Sequence, residues 1–212
     1  MPEAPLRCGI ASFTATWHQL NESNLAFLLR LAEPHDVAVR LEDGKLRARD
    51  EAPDTSPAPL SPQRNIERLR LIADLNHQAR RTEVHGYNLA TDQTADGSAE
   101  GLQPPAAGRD ASEHLRQRGW EGLSVRPHPF ARTQAEAEAL AQRRFRHQAT
   151  RFLHGEMTCQ GQPDLRAGRE IDLSGVSPRF AGRYRVIQCN HRFDNVTGFT
   201  TRIKVQRPDW NP

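Results

Sequence analysis

The sequence is poor in cysteine and aromatic residues, and it contains no long hydrophobic run. Its three cysteines, Cys8, Cys159 and Cys189, form neither a CxxC pair nor a zinc-ligand spacing. An odd, widely spaced set of this kind is typical of reduced thiols. No apolar run approaches the roughly 20 residues that cross a bilayer, and residues 1–13 lack the basic-then-apolar pattern of a secretory signal. We therefore expect free thiols and no membrane anchor.

Lysine is scarce, although the chain is weakly basic. The 212 residues carry a formal net charge of +3, and the only lysines are Lys45 and Lys204, so that nearly all basic residues are arginine. Arginine suits bidentate pairing with carboxylates at subunit interfaces, and a bias in genomic base composition would produce the same excess. Hydrophobic residues make up 36% and the mean hydropathy is -0.74. This balance is typical of a small core with extended loops, or of surfaces completed by partner subunits.

Catalytic and metal-binding motifs are also missing. There is no G-x-S-x-G, P-loop, G-x-G-x-x-G or H-E-x-x-H. Glu170, Asp172 and Asp194 have no recognisable acid–base arrangement. Cys189 and His191, two apart on an expected strand, point to one face, but no third ligand or orienting partner has a recognisable spacing. We interpret them as a packed cysteine and a hydrogen-bonded histidine. The prediction is a protein that is not an enzyme, with no catalytic residue, metal site or cofactor.

The first 90 residues predict a small α+β domain. Asn21 or Ser23 can cap a helix over residues 23–33, whose Leu25, Leu28, Leu29 and Ala32 recur at helical spacing. Pro34 ends this helix. A β-hairpin over residues 36–49 follows, with a turn at Asp43-Gly44. Residues 13–50 thus read as strand, helix and hairpin.

The middle of the sequence is weakly patterned. Residues 51–63 hold four prolines and predict an irregular loop, whereas residues 64–75 fit a helix or a strand. Residues 80–88 look extended. Small and polar residues dominate 89–108, and we expect a flexible linker over 91–110 that ends the first domain.

Residues 111–212 predict one long helix followed by an antiparallel sheet. Thr133 and Glu136 form a capping box. An apolar helix face follows and consists of Ala137, Leu140, Ala141, Phe145 and Phe152. The period then changes to two, which indicates strands at 156–161, 169–174, 183–193 and 199–206. Such a sheet would curl toward a small barrel, and the fold class is therefore α+β.

Several motifs resemble the phage late control gene D, or tail hub, family, to which the hub portion of type VI secretion spike proteins is related. NESNLAFLLRLA followed by a strand and DG resembles the family's "ESD-x-x-F-L-x-R-L-A" helix. GQPDLRAG, FAGRYRV and HRFD then match "G-x-P-x-L-x-x-G", "F-x-G-x-Y-x-V" and "H-x-F/Y-D" in the family order. The resemblance covers roughly residues 13 to 207.

The resemblance implies a tube-like β-barrel domain flanked by the long helix, and a structural role in the baseplate. A hub of this kind connects the tail tube to the central spike of a contractile phage tail or phage-like injection particle. Its expected partners are copies of itself, a trimer in the family, together with the tube protein, the spike protein and other baseplate proteins. The expected location is the virion tail or injection particle, assembled in the bacterial host cytoplasm. Family hubs carry a further barrel ahead of the first helix, whereas this sequence starts just before that helix.

A small, basic nucleic-acid-binding barrel is the alternative function. The arginine-rich run at 143–151 could contact phosphates, and residues 114–123, which contain Trp120, could stack on bases. We favour a solvated or subunit-facing surface for the first and a short amphipathic helix for the second. No specific nucleic-acid partner is expected.

Overall fold

The protein is described by a computed structural model that covers residues 17–33, 37–42, 44–50, 56–103 and 105–211. Chain contacts divide the protein into two compact units, each assembled from three separate stretches. Unit 1 consists of the described parts of Met1–Ala52, Thr82–Ala99 and Ser124–Phe145. Unit 2 consists of the described parts of Pro53–Arg81, Glu100–Leu123 and Arg146–Pro212.

Helices and strands alternate irregularly along the chain. The helices are α1 (Asn24–Ala32), α2 (Ala111–Gln117) and α3 (Gln134–Ala149). The strands are β1 (Val37–Glu42), β2 (Lys45–Asp50), β3 (Ala58–Leu60), β4 (Ile66–Ala73), β5 (Arg81–Asn88), β6 (Gln93–Ala99), β7 (Arg109–Asp110), β8 (Leu123–Ala131), β9 (Leu153–Gln160), β10 (Glu170–Leu173), β11 (Gly182–Asp194), β12 (Gly198–Arg207) and β13 (Asp209–Trp210). This content confirms the α+β class at a coarse level.

The helix and hairpin expected near the start of the chain are present in unit 1. The Ser23 hydroxyl accepts a hydrogen bond of 3.2 Å from the Ala26 N–H, so Ser23 rather than Asn21 is the N-cap. Strands β1 and β2 pair antiparallel, and Gly44 in the turn has a φ of 74°, which glycine adopts without steric cost. Pro34, Asp43 and the expected strand at residues 13–16 lie outside the described residues.

Residues 91–110 differ from the expected linker. Strand β6 occupies much of this segment and joins β5 and β8 in a three-stranded sheet of order β6-β5-β8. Its small residues Ala95, Gly97 and Ala99 are buried. A Cβ atom on Gly97 would lie 2.1 Å from the Ala137 carbonyl oxygen of α3. The low side-chain volume that suggested flexibility therefore serves close packing of a strand on a helix.

Helix α3 follows the predicted pattern with two differences. The Thr133 hydroxyl accepts from the Glu136 N–H at 3.2 Å, but the Glu136 carboxylate accepts from the N–H of Arg132, one residue earlier than a capping box requires. All five apolar residues of the predicted face are buried. Phe152, however, lies beyond the end of the helix at Ala149.

Unit 2 is built on a six-stranded sheet of order β3-β10-β11-β12-β9-β4, curled as a half-barrel. The four strands predicted in the last third of the sequence are its β9 to β12. Strand β4 resolves the ambiguity at 64–75 in favour of a strand, and β3 lies inside the segment expected to be a proline-rich loop. Among the described strand pairs of this sheet, only β3–β10 is parallel. Strand β3 is stabilised by pairing with β10, more than a hundred residues away, and the pattern of its own three residues does not predict a strand.

The sheet has one buried face and one open face. Side chains alternate across each strand, so Met157, Cys159, Ile203 and Val205 enter the core while their neighbours face away from it. The core of unit 2 also includes Leu60, Phe152, Leu153, Leu165, Ile171, Leu173, Tyr184 and Val186. Strand alternation thus leaves a mostly polar surface on the opposite side of the same sheet.

A buried ion pair secures the end of the chain in unit 2. The Arg207 Nε donates to the Asp209 carboxylate at 2.8 Å, and both side chains are 7% exposed. The guanidinium also donates to the Ala181 carbonyl and to the Asn211 side-chain oxygen. The second Asp209 oxygen accepts from the Gly108 N–H. Strands β7 and β13 pair at this point.

Candidate functional surfaces

Cys189 and His191 lie side by side, as their spacing predicts, but their polar atoms are engaged within the protein. The His191 Nε2 donates to the Leu165 carbonyl oxygen at 3.0 Å, and Nδ1 accepts from the Thr201 hydroxyl at 3.0 Å. The Cys189 thiol also donates to the Leu165 carbonyl. Burial raises the pKa of this thiol. The histidine therefore anchors the loop before β10 to the sheet.

The acidic residues considered as an acid–base pair have structural contacts. Glu170 forms an ion pair with Arg185 at 3.1 Å across β10 and β11. The Asp194 carboxylate accepts hydrogen bonds from the Thr197 hydroxyl and from the N–H groups of Thr197 and Val196. These bonds hold the pKa of Asp194 at about 2. Within the described ranges, no group of three His, Cys, Asp or Glu side chains is placed to hold a metal ion.

The arginine-rich run of α3 and the segment around Trp120 make internal contacts. The Arg146 guanidinium donates to the Gln103 carbonyl at 2.8 Å, and Arg151 contacts the His147 ring. His114 stacks against Phe152 and Trp210 in an aromatic cluster, and burial lowers the pKa of this histidine. Trp120 itself is exposed. None of the described helices is both long enough and apolar enough to cross a membrane.

A cationic grid occupies the open face of the sheet in unit 2. We use this name for six residues in two rows across β4, β9 and β12, namely Arg68, Thr158 and Arg202 in one row and Arg70, Glu156 and Lys204 in the other. The strand spacing places all six within about 10 Å by about 7 Å. Four cations therefore face one anion, a local excess of +3.

Glu156 contacts two of the grid's four cations, both on β12. Its carboxylate lies 2.5 Å from Arg202 and 3.7 Å from Lys204. These interactions lower the pKa of Glu156, so the group is anionic at neutral pH. In the described part of the chain, neither Arg68 nor Arg70 has an acidic partner.

A groove of about 490 Å³ lies on this face over β9, β11 and β12. Apart from the buried Ile203, its lining is polar and consists of Glu156, Thr158, Gln188, Asn190, Arg192, Thr200, Arg202 and Lys204. Sequence reasoning did not single out this surface. The alternating basic residues at 68 and 70 and at 202 and 204 were the available signal, but their proximity depends on the strand order.

Three further features expose strand edges or apolar side chains. The terminal strands β3 and β4 each have one hydrogen-bonded neighbour among the described strands. The end of β11 exposes Phe193, which is 77% accessible, and the turn to β12 exposes Val196, which is 93% accessible. Helix α1 has no buried residue, and its Leu25 and Leu29 are about half exposed. Open edges and exposed apolar residues are typical of chains that assemble with others.

Solved structures share this fold. The tail protein from Neisseria meningitidis MC58 matches with a TM-score of 0.65 and 14% identity, over 93% of this chain and 60% of that one. The 43 kDa tail protein of prophage MuSo2 from Shewanella oneidensis matches with a TM-score of 0.68 and 14% identity, over 90% and 56%. A chain of a native gene transfer agent virion matches with a TM-score of 0.51 and 15% identity, over 86% and 38%.

The sequence spans less than two thirds of the length of these structural relatives. At such identities the likeness concerns the fold. A comparison with curated proteins gave no match. The family model described as "Alg8 N-terminal domain" matches residues 10–195, which is most of the sequence. The chain therefore belongs to the Alg8 N-terminal domain family.

Proposed function

We propose that this protein is a structural component of a phage tail or phage-like contractile injection particle, and that it acts as the baseplate hub between the tail tube and the central spike. The fold it shares with two phage tail proteins and a gene transfer agent virion supports a tail role. The ordered motifs that resemble late control gene D proteins support the finer hub role.

The half-barrel sheet is the observation that carries this proposal. Its terminal strands β3 and β4 each have an edge that no described strand pairs. Exposed edges invite pairing with other chains, and single-chain proteins usually cover them. Copies placed around an axis would pair edge to edge and close the half-barrels into a tube-like ring. A homo-oligomer, a trimer by resemblance, follows from this arrangement.

The function is mechanical rather than catalytic. The ring would meet the tail tube on one side and the spike on the other, with further baseplate proteins around it. Contraction of a sheath would then drive the stack through a cell envelope. We place the protein in the virion tail or injection particle, assembled in the host cytoplasm.

Assembly of the purified protein with its tube and spike partners tests the proposal. We expect light scattering to give a mass that is a multiple of 23.9 kDa, and electron microscopy to show rings that cap the tube. Leu25→Gln combined with Leu29→Gln should weaken assembly while leaving the folded chain intact, because both side chains are exposed in the isolated protein. A protein that stays monomeric and ignores both tube and spike would refute the proposal.

The control is Leu89→Gln, which removes a leucine that is also exposed but lies in the turn between β5 and β6. This variant should assemble like the unmodified protein. Circular dichroism of all variants checks that the fold is retained. Equal loss of assembly in both variants would mean that α1 has no special role.

A further inference from the structure

The open face of the unit 2 sheet has a chemistry that a structural ring does not require. Protein–protein interfaces are rich in aromatic residues, methionine and arginine, and poor in lysine and glutamate. The groove, which four residues of the cationic grid help to line, contains no aromatic residue and no methionine. Arginine suits either kind of partner, but here it occurs with lysine, glutamate, threonine, asparagine and glutamine side chains. Surfaces that contact nucleic acid are more polar and more positive than surfaces that contact protein.

We propose that the cationic grid binds the phosphate backbone of nucleic acid without regard to sequence. Arg68, Arg70, Arg202 and Lys204 project from one sheet face within about 10 Å, and phosphates along a strand are close enough to engage several of them at once. Thr158 and Asn190 offer hydrogen-bond donors of the kind that contact phosphates. Because no aromatic side chain lines the groove, bases have nothing to stack on.

The charge balance of the grid favours a polyanion. Glu156 is its one acid, and Arg202 and Lys204 share that carboxylate. Arg68 and Arg70 keep their full charge on the edge strand. Glu67, the nearest acid along β4, lies at the irregularity between Ile66 and Arg68 and forms no ion pair within the described part of the chain. The two rows of the grid continue onto β11 with the neutral Asn190 and Gln188.

Fluorescence anisotropy with a labelled oligo(dT) strand and with a mixed-sequence duplex tests this inference over a salt series. If four cations contact phosphates, the plot of log K against log salt should have a slope of about -3 for the single strand and about -4 for the duplex. Arg68→Gln combined with Arg70→Gln should reduce the slope by about 1.5. No binding to either probe at low salt would overturn the proposal.

Arg116→Gln combined with Arg118→Gln is the matched control, because it removes the same charge from exposed positions of unit 2 outside the sheet. It should leave the slope unchanged. Arg146→Gln combined with Arg151→Gln tests the arginine-rich helix in the same way. An equal loss in the sheet and control variants, or a loss confined to the helix variant, would show that the grid is not the site.

The Glu156→Gln variant should bind nucleic acid more tightly, an effect opposite to the loss expected from a misfolded protein. Removing the anion should strengthen binding by about threefold, the effect of one unit charge about 7 Å from a phosphate in water. Poly-L-glutamate serves as competitor. If it displaces the oligonucleotide as well as unlabelled oligo(dT) does at equal charge, the grid is a site for acidic protein and the proposal fails. These measurements do not depend on ring assembly, so either proposal can fail alone.

Discussion

Replacing Asp209 with alanine would show how much the buried ion pair contributes to the stability of unit 2. Arg207 and Asp209 are both 7% exposed, and the Nε–carboxylate distance is 2.8 Å. The substitution leaves the guanidinium in the interior without its counter-ion. It also deprives the Gly108 N–H of its acceptor. The hydrogen bonds from Arg207 to the Ala181 carbonyl and the Asn211 side chain remain.

The expected loss follows from these contacts. Removing one partner of a buried pair costs about 3–5 kcal/mol, and the remaining acceptors of Arg207 favour the lower end of that range. The unsatisfied Gly108 N–H adds about 1 kcal/mol. We therefore expect unfolding to become easier by about 4 kcal/mol, a large part of the 5–15 kcal/mol that is typical of a folded domain.

Urea unfolding at neutral pH, followed by circular dichroism, measures this change. The comparison requires equal m-values in the two proteins. Arg207→Met combined with Asp209→Leu removes both charges, and the Asn211 side-chain amide still donates to the Ala181 carbonyl. The double variant should therefore be more stable than Asp209→Ala alone. A loss below about 1 kcal/mol for the single variant, or a larger loss in the double variant, would refute this account of the pair.

Two further predictions concern a close approach and a turn. Gly97→Ala places a Cβ 2.1 Å from the Ala137 carbonyl oxygen, and we expect thermal unfolding to show a loss of about 1–3 kcal/mol. Gly101→Ala, which meets no atom within 4 Å, should be nearly neutral, and equal losses would contradict the packing argument. Hydrogen bonds hold the pKa of Asp194 at about 2, below its usual 3.8. The ionised Asp194 carboxylate therefore stabilises the folded protein fully above about pH 3.8, and this stabilisation is lost as the pH falls toward about 2. The Asp194→Asn variant should lose less stability than the unmodified protein over this pH range, as measured by urea unfolding at each pH. Identical pH profiles for the two proteins would show that the Asp194 carboxylate does not stabilise the turn.

The strands of the last third of the chain could be predicted because their signal is local. Residues near 156–161, 169–174, 183–193 and 199–206 alternate with period two, and β9 to β12 occupy these positions. Ser23 and Thr133 likewise act within a few residues of themselves. Strands β3, β6 and β8 were not predicted, and the physical reason is clear for β3 and β6. The first is stabilised by pairing with the distant β10, and the second by its small residues packing on α3.

The candidate surfaces divide in the same way. A packed cysteine and a hydrogen-bonded histidine could be inferred for Cys189 and His191 from their spacing and the lack of a third ligand, whereas their link to the Leu165 carbonyl is known from the structure. The cationic grid could not be inferred. Arg68 and Arg202 are far apart in the sequence, and only the pairing of β9 with both β4 and β12 brings them to one face.

The sequence by itself determined the local elements and the α+β class, because hydrophobic period and capping residues act over a few positions. It also contained the ordered motifs that resemble the hub family. The tertiary structure alone decided which chain segments build each unit, which edges of the half-barrel stay open, and which charges share a face. These properties depend on strand order and register, which are set by contacts between residues distant in the chain, and local pattern does not record such contacts.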